Sequence, residues 1–205
     1  MMRTRDVEMA VHHGAAYVGV IMAGGPRNLS LRDAVATLAP AQGRAKRVAV
    51  VRVGRPEEVA DLGRQFDVLQ LHGDATPADV SALRTLFDGE IWTVVRTTAS
   101  ELPAYIEELY SISDAVVFDK KVESGLGGTG ERLDWCALAE AIGSLRTGRI
   151  ILAGGLTPST VGEAIRALNP DLVDVSSGVE NAPGIKNHDL LRDFAAAVKS
   201  AEDGQ

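Results

Sequence analysis

The sequence predicts an α/β fold built from repeated βα units, and three features of its pattern support this prediction. Short runs rich in β-branched residues alternate with amphipathic stretches of helical length. Most of the runs are almost continuously apolar, which is typical of parallel strands that are buried on both faces. The pattern opens on a helical stretch and not on a strand. We therefore expect a parallel sheet packed against helices.

Seven strands are predicted from the apolar runs. The first run, AAYVGVIM, ends just before two glycines, and the fifth, DAVVFD, ends on an aspartate. Valine and isoleucine dominate these runs because their branched side chains fit a pleated surface. The predicted strands are 15–22, 47–53, 68–71, 91–97, 114–119, 149–153 and 172–177.

Eight helices are predicted between and around these strands. Ser30, Thr76 and Ser100 each precede a helical stretch and carry a hydroxyl that can cap its first turn. The segments RPEEV, TPADV and TPSTV place proline where a first turn accepts it. The predicted helices are 4–13, 30–38, 56–65, 77–87, 100–110, 134–143, 158–167 and 188–200.

Two architectures can accommodate an opening helix and an odd number of strands. A doubly wound open sheet tolerates the count, but no GxGxxG follows an early strand and no acidic residue stands where a dinucleotide-binding fold requires one. A (β/α)8 barrel normally begins with a strand, so a barrel whose first strand is missing from the sequence fits better.

Composition and charge narrow the function classes. The chain has 205 residues, of which 45% are hydrophobic, and we expect 1–205 to form one domain. Its net charge of -7 argues against nucleic acid or an anionic membrane as a partner. Cys136 is the only cysteine, which suits a reducing cytoplasm, and no apolar run is long enough to span a bilayer. The composition therefore indicates a soluble protein with a small ligand.

Two glycine- and serine-rich loops follow the last two predicted strands. Gly154-Gly155 and Ser176-Ser177-Gly178 leave backbone N–H groups accessible to a ligand, and a helix N-terminus behind a loop favours an anion. In barrels, loops at these positions commonly bind phosphate. A tight turn alone would also explain one glycine pair, but two such loops on successive units favour a phosphate site.

Three further side chains stand where ligands gather, at the carboxyl ends of strands. Asp119 would be partly desolvated there, which would raise its pKa and suit a general acid, although an ion pair with Lys120 or Lys121 is the alternative. Arg27 could hold a carboxylate through two hydrogen bonds or remain solvated. His72 could orient a substrate or cap a turn.

The segment KKVESGLGGTGERLDW, 120–135, follows Asp119 directly. Its four glycines, Gly125, Gly127, Gly128 and Gly130, are consistent with an active-site lid, and a solvated linker is the alternative.

Taken together, the motifs GPRNLS, VLQLHGD, FDKKVESGLGGTGERLDW, LAGGLTPSTV and DLVDVSSGVENAPGIKNHDLLRDF resemble the phosphoribosylanthranilate isomerase family of tryptophan biosynthesis. The resemblance spans nearly the whole chain in order. It implies a (β/α)8 TIM barrel in the cytoplasm, monomeric or homodimeric, that works without a cofactor. The implied reaction is the Amadori rearrangement of N-(5'-phosphoribosyl)anthranilate to 1-(2-carboxyphenylamino)-1-deoxyribulose 5-phosphate.

The resemblance also implies roles for individual residues. Asp119 is expected to protonate the ring oxygen of the substrate, and Arg27 is expected to hold the anthranilate carboxylate. The phosphate is expected to bind at the two loops already described, through Gly154, Gly155, Ser176, Ser177 and Gly178.

The sequence departs from the family at its beginning. Members start with a strand whose Cys-Gly pair supplies the general base, and this sequence starts immediately after that place. Cys136 follows the predicted lid and does not match that motif. We therefore expect the 205-residue chain to be at best a poor catalyst and a longer natural form to be active. Two alternatives remain at this stage, namely a histidine-pathway phosphosugar isomerase and a non-catalytic phosphosugar-binding relic.

Overall fold

A parallel sheet of seven strands forms the centre of the computed structural model, which describes residues 1–98, 101–120 and 133–203. Each strand pairs with its neighbours in chain order, and within the described ranges the first and last strands are not paired with each other. The seven predicted strands are confirmed as β1 Tyr17–Ile21, β2 Lys46–Arg52, β3 Val68–His72, β4 Glu90–Thr97, β5 Ala115–Lys120, β6 Ile150–Leu152 and β7 Leu172–Val173.

Helices follow the strands in regular alternation, and one further helix precedes β1. Ser30 accepts a hydrogen bond from the Asp33 backbone, and Thr76 forms a reciprocal capping box with Asp79, as their positions predicted. No helix in the described part of the chain is long and apolar enough to cross a lipid bilayer. The helices are α1 Thr4–His12, α2 Leu31–Leu38, α3 Pro56–Gly63, α4 Pro77–Arg84, α5 Ile106–Ile112, α6 Trp135–Ile142, α7 Val161–Leu168 and α8 His188–Glu202.

Two helices begin later than predicted. The helix expected at 100–110 starts at Ile106, because the residue before Pro103 is restricted to extended backbone; the proposed cap Ser100 lies outside the described residues. The helix expected at 158–167 starts at Val161. There the Thr157 N–H donates to Thr160 Oγ1 at 3.0 Å, which closes a separate turn before the helix begins.

The last predicted strand, 172–177, is also wrong in extent. β7 ends at Val173, and the chain then forms an antiparallel hairpin that the sequence analysis did not predict, with strands β8 Glu180–Ala182 and β9 Ile185–Lys186. Gly184 forms its turn with φ of +80°, a conformation that favours glycine. This hairpin places Glu180 and Lys186 directly opposite each other.

The sheet separates two apolar clusters. The larger cluster lies between the strands and the helices, and alternate strand residues point to the other face and form a smaller inner cluster. The inner cluster consists only of strand residues or their immediate neighbours: Val48, Val68, Trp92, Val94, Ala115, Val117, Ile151 and Ala153. This alternation fixes which side chains reach the inside of the barrel.

Polar groups cover the amino-terminal end of the inner cluster. Glu90 accepts hydrogen bonds from Trp92 Nε1 at 2.9 Å and from Arg149 at 3.3 Å, and it also pairs with Lys46. The Tyr17 ring packs edge-on against Trp92 with centroids 4.8 Å apart. A charged network and an aromatic pair therefore lie at the end of the strands opposite the expected ligand site.

Candidate active site

Five charged or titratable side chains stand at inward positions where the strands end. Each of them follows an inner-cluster residue, or one that packs against that cluster, by two or four positions. Because side chains alternate along a strand, each is directed to the inner face of the sheet. β2 and β3 place Arg52 opposite His72 in register, and β4 and β5 place Arg96 opposite Asp119. Asp174 follows β7 by one residue. Three basic groups therefore face two acidic groups.

Sequence reasoning found His72 and Asp119 but missed Arg52, Arg96 and Asp174. Counting two residues at a time from the apolar residues of each strand would have identified all three. Arg52 Nε donates to the Ala23 carbonyl oxygen at 2.5 Å, which holds the side chain against the loop after β1.

Asp119 has the environment of a general acid. It is half buried on β5, and its Oδ1 accepts a hydrogen bond from the Lys120 backbone N–H at 2.8 Å. Burial raises the pKa of its carboxyl, and that backbone hydrogen bond and the positive charges of His72 and Arg96 oppose the rise without cancelling it. Of the two lysines in the predicted alternative, Lys120 meets this carboxylate through its backbone N–H and forms no ion pair with it among the described residues. Lys121 lies outside the described residues.

The two glycines after β6 have different neighbours. A Cβ on Gly154 would lie 2.6 Å from the Lys120 nitrogen and 2.7 Å from Asp119 Oδ1, so only glycine lets this loop pack against the acid. A Cβ on Gly155 would meet no atom of the described residues within 4 Å. Both residues have positive φ, of +86° and +73°. Gly154 therefore packs against Asp119, whereas Gly155 has free space beside it in the part of the chain that the structure describes.

The loops after β6 and β7 touch each other. A Cβ on Gly178 would lie 1.8 Å from the Leu156 carbonyl oxygen, so the second loop can pack here only without a side chain. Ser176 and Ser177 in this loop are exposed. The structure thus brings together the two loops in which a phosphate site was predicted.

Arg27 is paired with a buried carboxylate. Its Nε lies 3.1 Å from both oxygens of Glu180, and its Nη2 lies 2.6 Å from Glu180 Oε2. The Glu180 side chain is only 4% exposed, whereas that of Arg27 is 25% exposed. The predicted alternative of a solvated arginine is therefore wrong. Glu180 occupies one edge of the guanidinium and leaves Nη1 without a partner among the described residues.

Asp174, which follows β7, is affected by the carboxylate of Asp119, which lies on β5 two strands away in the sheet. Desolvation by the surrounding protein atoms raises the pKa of Asp174, and the carboxylate of Asp119 raises it further, against the positive charge of Lys186. Among the described residues, Asp174 is nevertheless exposed to solvent. Two carboxyl groups with raised pKa values thus share the acidic half of the site.

Two other predicted features have a plain outcome. Cys136 is exposed on α6 and does not belong to the group of inward residues. The predicted lid falls almost entirely on 121–132, outside the described residues. Within the described ranges, no group of three or more His, Cys, Asp or Glu residues is arranged to hold a metal ion.

Comparisons with known proteins point to one family. A family model described as N-(5'-phosphoribosyl)anthranilate (PRA) isomerase matches residues 1–197. An isomerase of that name from Chelativorans sp. is 36% identical over 212 residues, covering 98% of this chain and 94% of the relative. Another, from Haloferax volcanii, is 43% identical over 147 residues, covering 71% of this chain and 64% of the relative, less than two thirds of its length. The crystal structure of phosphoribosyl anthranilate isomerase from Thermotoga maritima is 26% identical, with a TM-score of 0.86 over 98% of this chain and 96% of that one.

Proposed function

The chain belongs to the N-(5'-phosphoribosyl)anthranilate isomerase family of tryptophan biosynthesis, and from this premise we propose which residues serve that reaction. The family match favours this isomerisation over the histidine-pathway alternative. The observation that carries the proposal is the position of Asp119: a half-buried carboxyl at the end of β5, with a raised pKa, backed by Gly154.

Asp119 acts as the general acid in the first step. Its protonated carboxyl donates a proton to the ring oxygen of the phosphoribosyl group, and the bond between that oxygen and C1' breaks. The lone pair of the anthranilate nitrogen then forms the C=N bond of a Schiff base, so charge and protons balance within the substrate and Asp119. Removal of the C2' proton, which the resemblance assigns to a cysteine, gives an enolamine; loss of the C2' hydroxyl proton and protonation of C1' then give the ketose.

Arg27 and His72 hold the aromatic end of the substrate. Arg27 Nη1, which has no partner among the described residues, donates to the anthranilate carboxylate, while Glu180 keeps the guanidinium in place. His72 stands at the end of β3, close enough to Asp119 to affect its pKa, and orients the substrate over the acid.

The two loops after β6 and β7 bind the phosphate. Gly155 has no close neighbour among the residues that the structure describes, Gly154 and Gly178 allow close packing, and Ser176 and Ser177 are exposed. Positive φ at both glycines of the first loop suits an arrangement in which backbone N–H groups face an anion. We propose that 1–205 works as one phosphosugar-binding unit in the cytoplasm, as a monomer or homodimer, with no nucleic acid or membrane partner.

An Asp119→Asn variant tests the proposal. We expect turnover of N-(5'-phosphoribosyl)anthranilate to fall about 100-fold or more, because an amide cannot supply the proton. The dissociation constant of a reduced, unreactive product analogue, measured by calorimetry, should change by less than about threefold, because the loops and Arg27 are untouched. Equal turnover by the variant and the unchanged chain, or no binding of the analogue by either, would contradict the proposal.

A further inference from the structure

A network of hydrogen-bonded charged groups connects the carboxylate-binding and phosphate-binding parts of the site. Arg27, after β1, donates to Glu180, and Lys186 Nζ donates to the same carboxylate at 3.0 Å. Lys186 Nζ also donates to the backbone oxygen of Ser176 at 2.8 Å. This network thus connects the arginine assigned to the substrate carboxylate with the loop assigned to the phosphate.

The two central residues of this network, Lys186 and Glu180, are buried. The side chain of Lys186 is 3% exposed and that of Glu180 is 4% exposed. Burial alone would raise the pKa of Glu180, but the hydrogen bonds from Arg27 and Lys186 outweigh this and hold it below its ordinary value. Glu180 therefore stays ionised. A buried ion pair adds little net stability, since desolvation offsets most of the attraction, so its presence here calls for a role beyond stability.

Glu180 fixes the direction of the Arg27 guanidinium. It accepts from Nε and Nη2, which lie on one edge of the planar group, and so sets both the plane and its rotation. The remaining donors then point in one direction only. Without Glu180, rotation about the side-chain bonds of Arg27 would spread those donors over many orientations.

The backbone of Lys186 is held in place by neighbouring elements. It faces Glu180 across the hairpin, and its backbone N–H donates to Asp6 on α1 at 3.3 Å. Asp6 is fully buried and is also paired with Arg3 and with the ring of His188. The ammonium group therefore holds both the Ser176 carbonyl and Glu180 from a part of the barrel that is itself anchored.

We propose that Glu180 and Lys186 are positioning residues that hold Arg27 and the Ser176 loop at the separation of the substrate's carboxylate and phosphate. The proposal rests on the proposed function, which assigns those two groups to Arg27 and to the loops after β6 and β7. Neither residue touches the substrate. Glu180 acts through Arg27, and Lys186 acts through both Glu180 and Ser176.

Two ligands separate positioning from general support of the fold. One is the reduced product analogue with its ring carboxylate, and the other is the same molecule without the carboxylate. The ratio of their dissociation constants, measured by calorimetry, reports the grip on the carboxylate, and the second constant alone reports the grip on the phosphosugar. For the unchanged chain we expect a ratio of about 10- to 100-fold, as for a charge-assisted pair.

Glu180→Gln should lower the ratio about tenfold and leave binding of the carboxylate-free ligand unchanged, because only the direction of Arg27 is lost. Lys186→Met should lower the ratio and also weaken the carboxylate-free ligand, because the Ser176 carbonyl loses its partner. Glu180→Asp keeps the negative charge beside Lys186 but has a shorter side chain. It should therefore lower the ratio without removing the buried charge. Glu90→Gln is the matched control, since it removes a partly buried, multiply paired carboxylate at the opposite end of the barrel.

Arg27→Met distinguishes failure of this proposal from failure of the proposed function. If Arg27→Met keeps the ratio of the unchanged chain, Arg27 does not bind the carboxylate and both fail. If Arg27→Met brings the ratio to about one but Glu180→Gln and Glu180→Asp do not lower it, only the positioning role is overturned. The proposal is supported if Glu180→Gln lowers the ratio in the unchanged chain and has no effect on the ratio in the Arg27→Met variant.

Discussion

The pair Gly154→Ala and Gly155→Ala separates the packing of Asp119 from backbone strain. Both positions have positive φ, so alanine should cost each variant about 1–2 kcal/mol, or roughly 2–8 °C in Tm. Within the described residues, only the Gly154 methyl group has a neighbour to displace. Its contacts at 2.6 and 2.7 Å lie below the 3.0 Å that real Cβ atoms respect, so the Asp119 carboxyl or the Lys120 backbone must move by at least 0.3 to 0.4 Å.

In the proposed reaction Asp119 must meet the substrate ring oxygen, and small displacements of a catalytic group have large effects. We expect Gly154→Ala to lower kcat by about tenfold to 100-fold, while Gly155→Ala keeps kcat and raises KM, because its methyl group enters the space assigned to the phosphate. Steady-state kinetics and thermal melting of both variants form the assay. Equal kcat values for two variants with equal losses in Tm would show that packing against Gly154 does not control the acid, and our reasoning would be wrong.

Two further predictions follow from the acidic half of the site. Ionisation of Asp174 opposes folding because its folded pKa is raised, so the cost grows as pH rises from the ordinary value of 3.8 through the folded pKa. Asp174→Asn should therefore raise Tm by roughly 2 °C at pH 7 and leave it unchanged below pH 3.8. The increase is modest because the carboxyl is exposed to water. Thermal melts that show the same change in Tm at both pH values would refute this. Arg96→Met removes a positive charge that lowers the pKa of Asp119. Since the proposed role of Asp119 requires its protonated form, the alkaline limb of the kcat profile should move to higher pH, and a limb that stays in place would contradict that role.

The order of strands and helices could be predicted because it depends on local patterns. Apolar runs located the strands of the sheet, and hydroxyl and proline signals located several helix starts. The errors arose where a tertiary contact or a turn overrode the pattern. Thr157 and Thr160 close a turn ahead of α7, and the apolar and polar residues after Val173 leave the sheet for the hairpin.

The site was predicted where one residue stood out from its surroundings. Asp119 ends an apolar strand, and the glycine pair interrupts the next one. Arg96 and Asp174 lie inside runs that were treated as continuous strands, so only the two-residue alternation could single them out. The partnership of Glu180 and Lys186 depends on a hairpin, for which the Pro-Gly pair between them was the available signal.

The contact between Gly178 and Leu156 has a consequence for recombination of this barrel with others. Because the loop after β7 packs onto the carbonyl oxygen of the loop after β6 with no room for a side chain, the backbone paths of the two loops are interdependent. The sixth and seventh βα units therefore form one exchangeable block. A chimera that takes one of them from a distant barrel should lose the fit between the loops, whereas a chimera that takes both should inherit it.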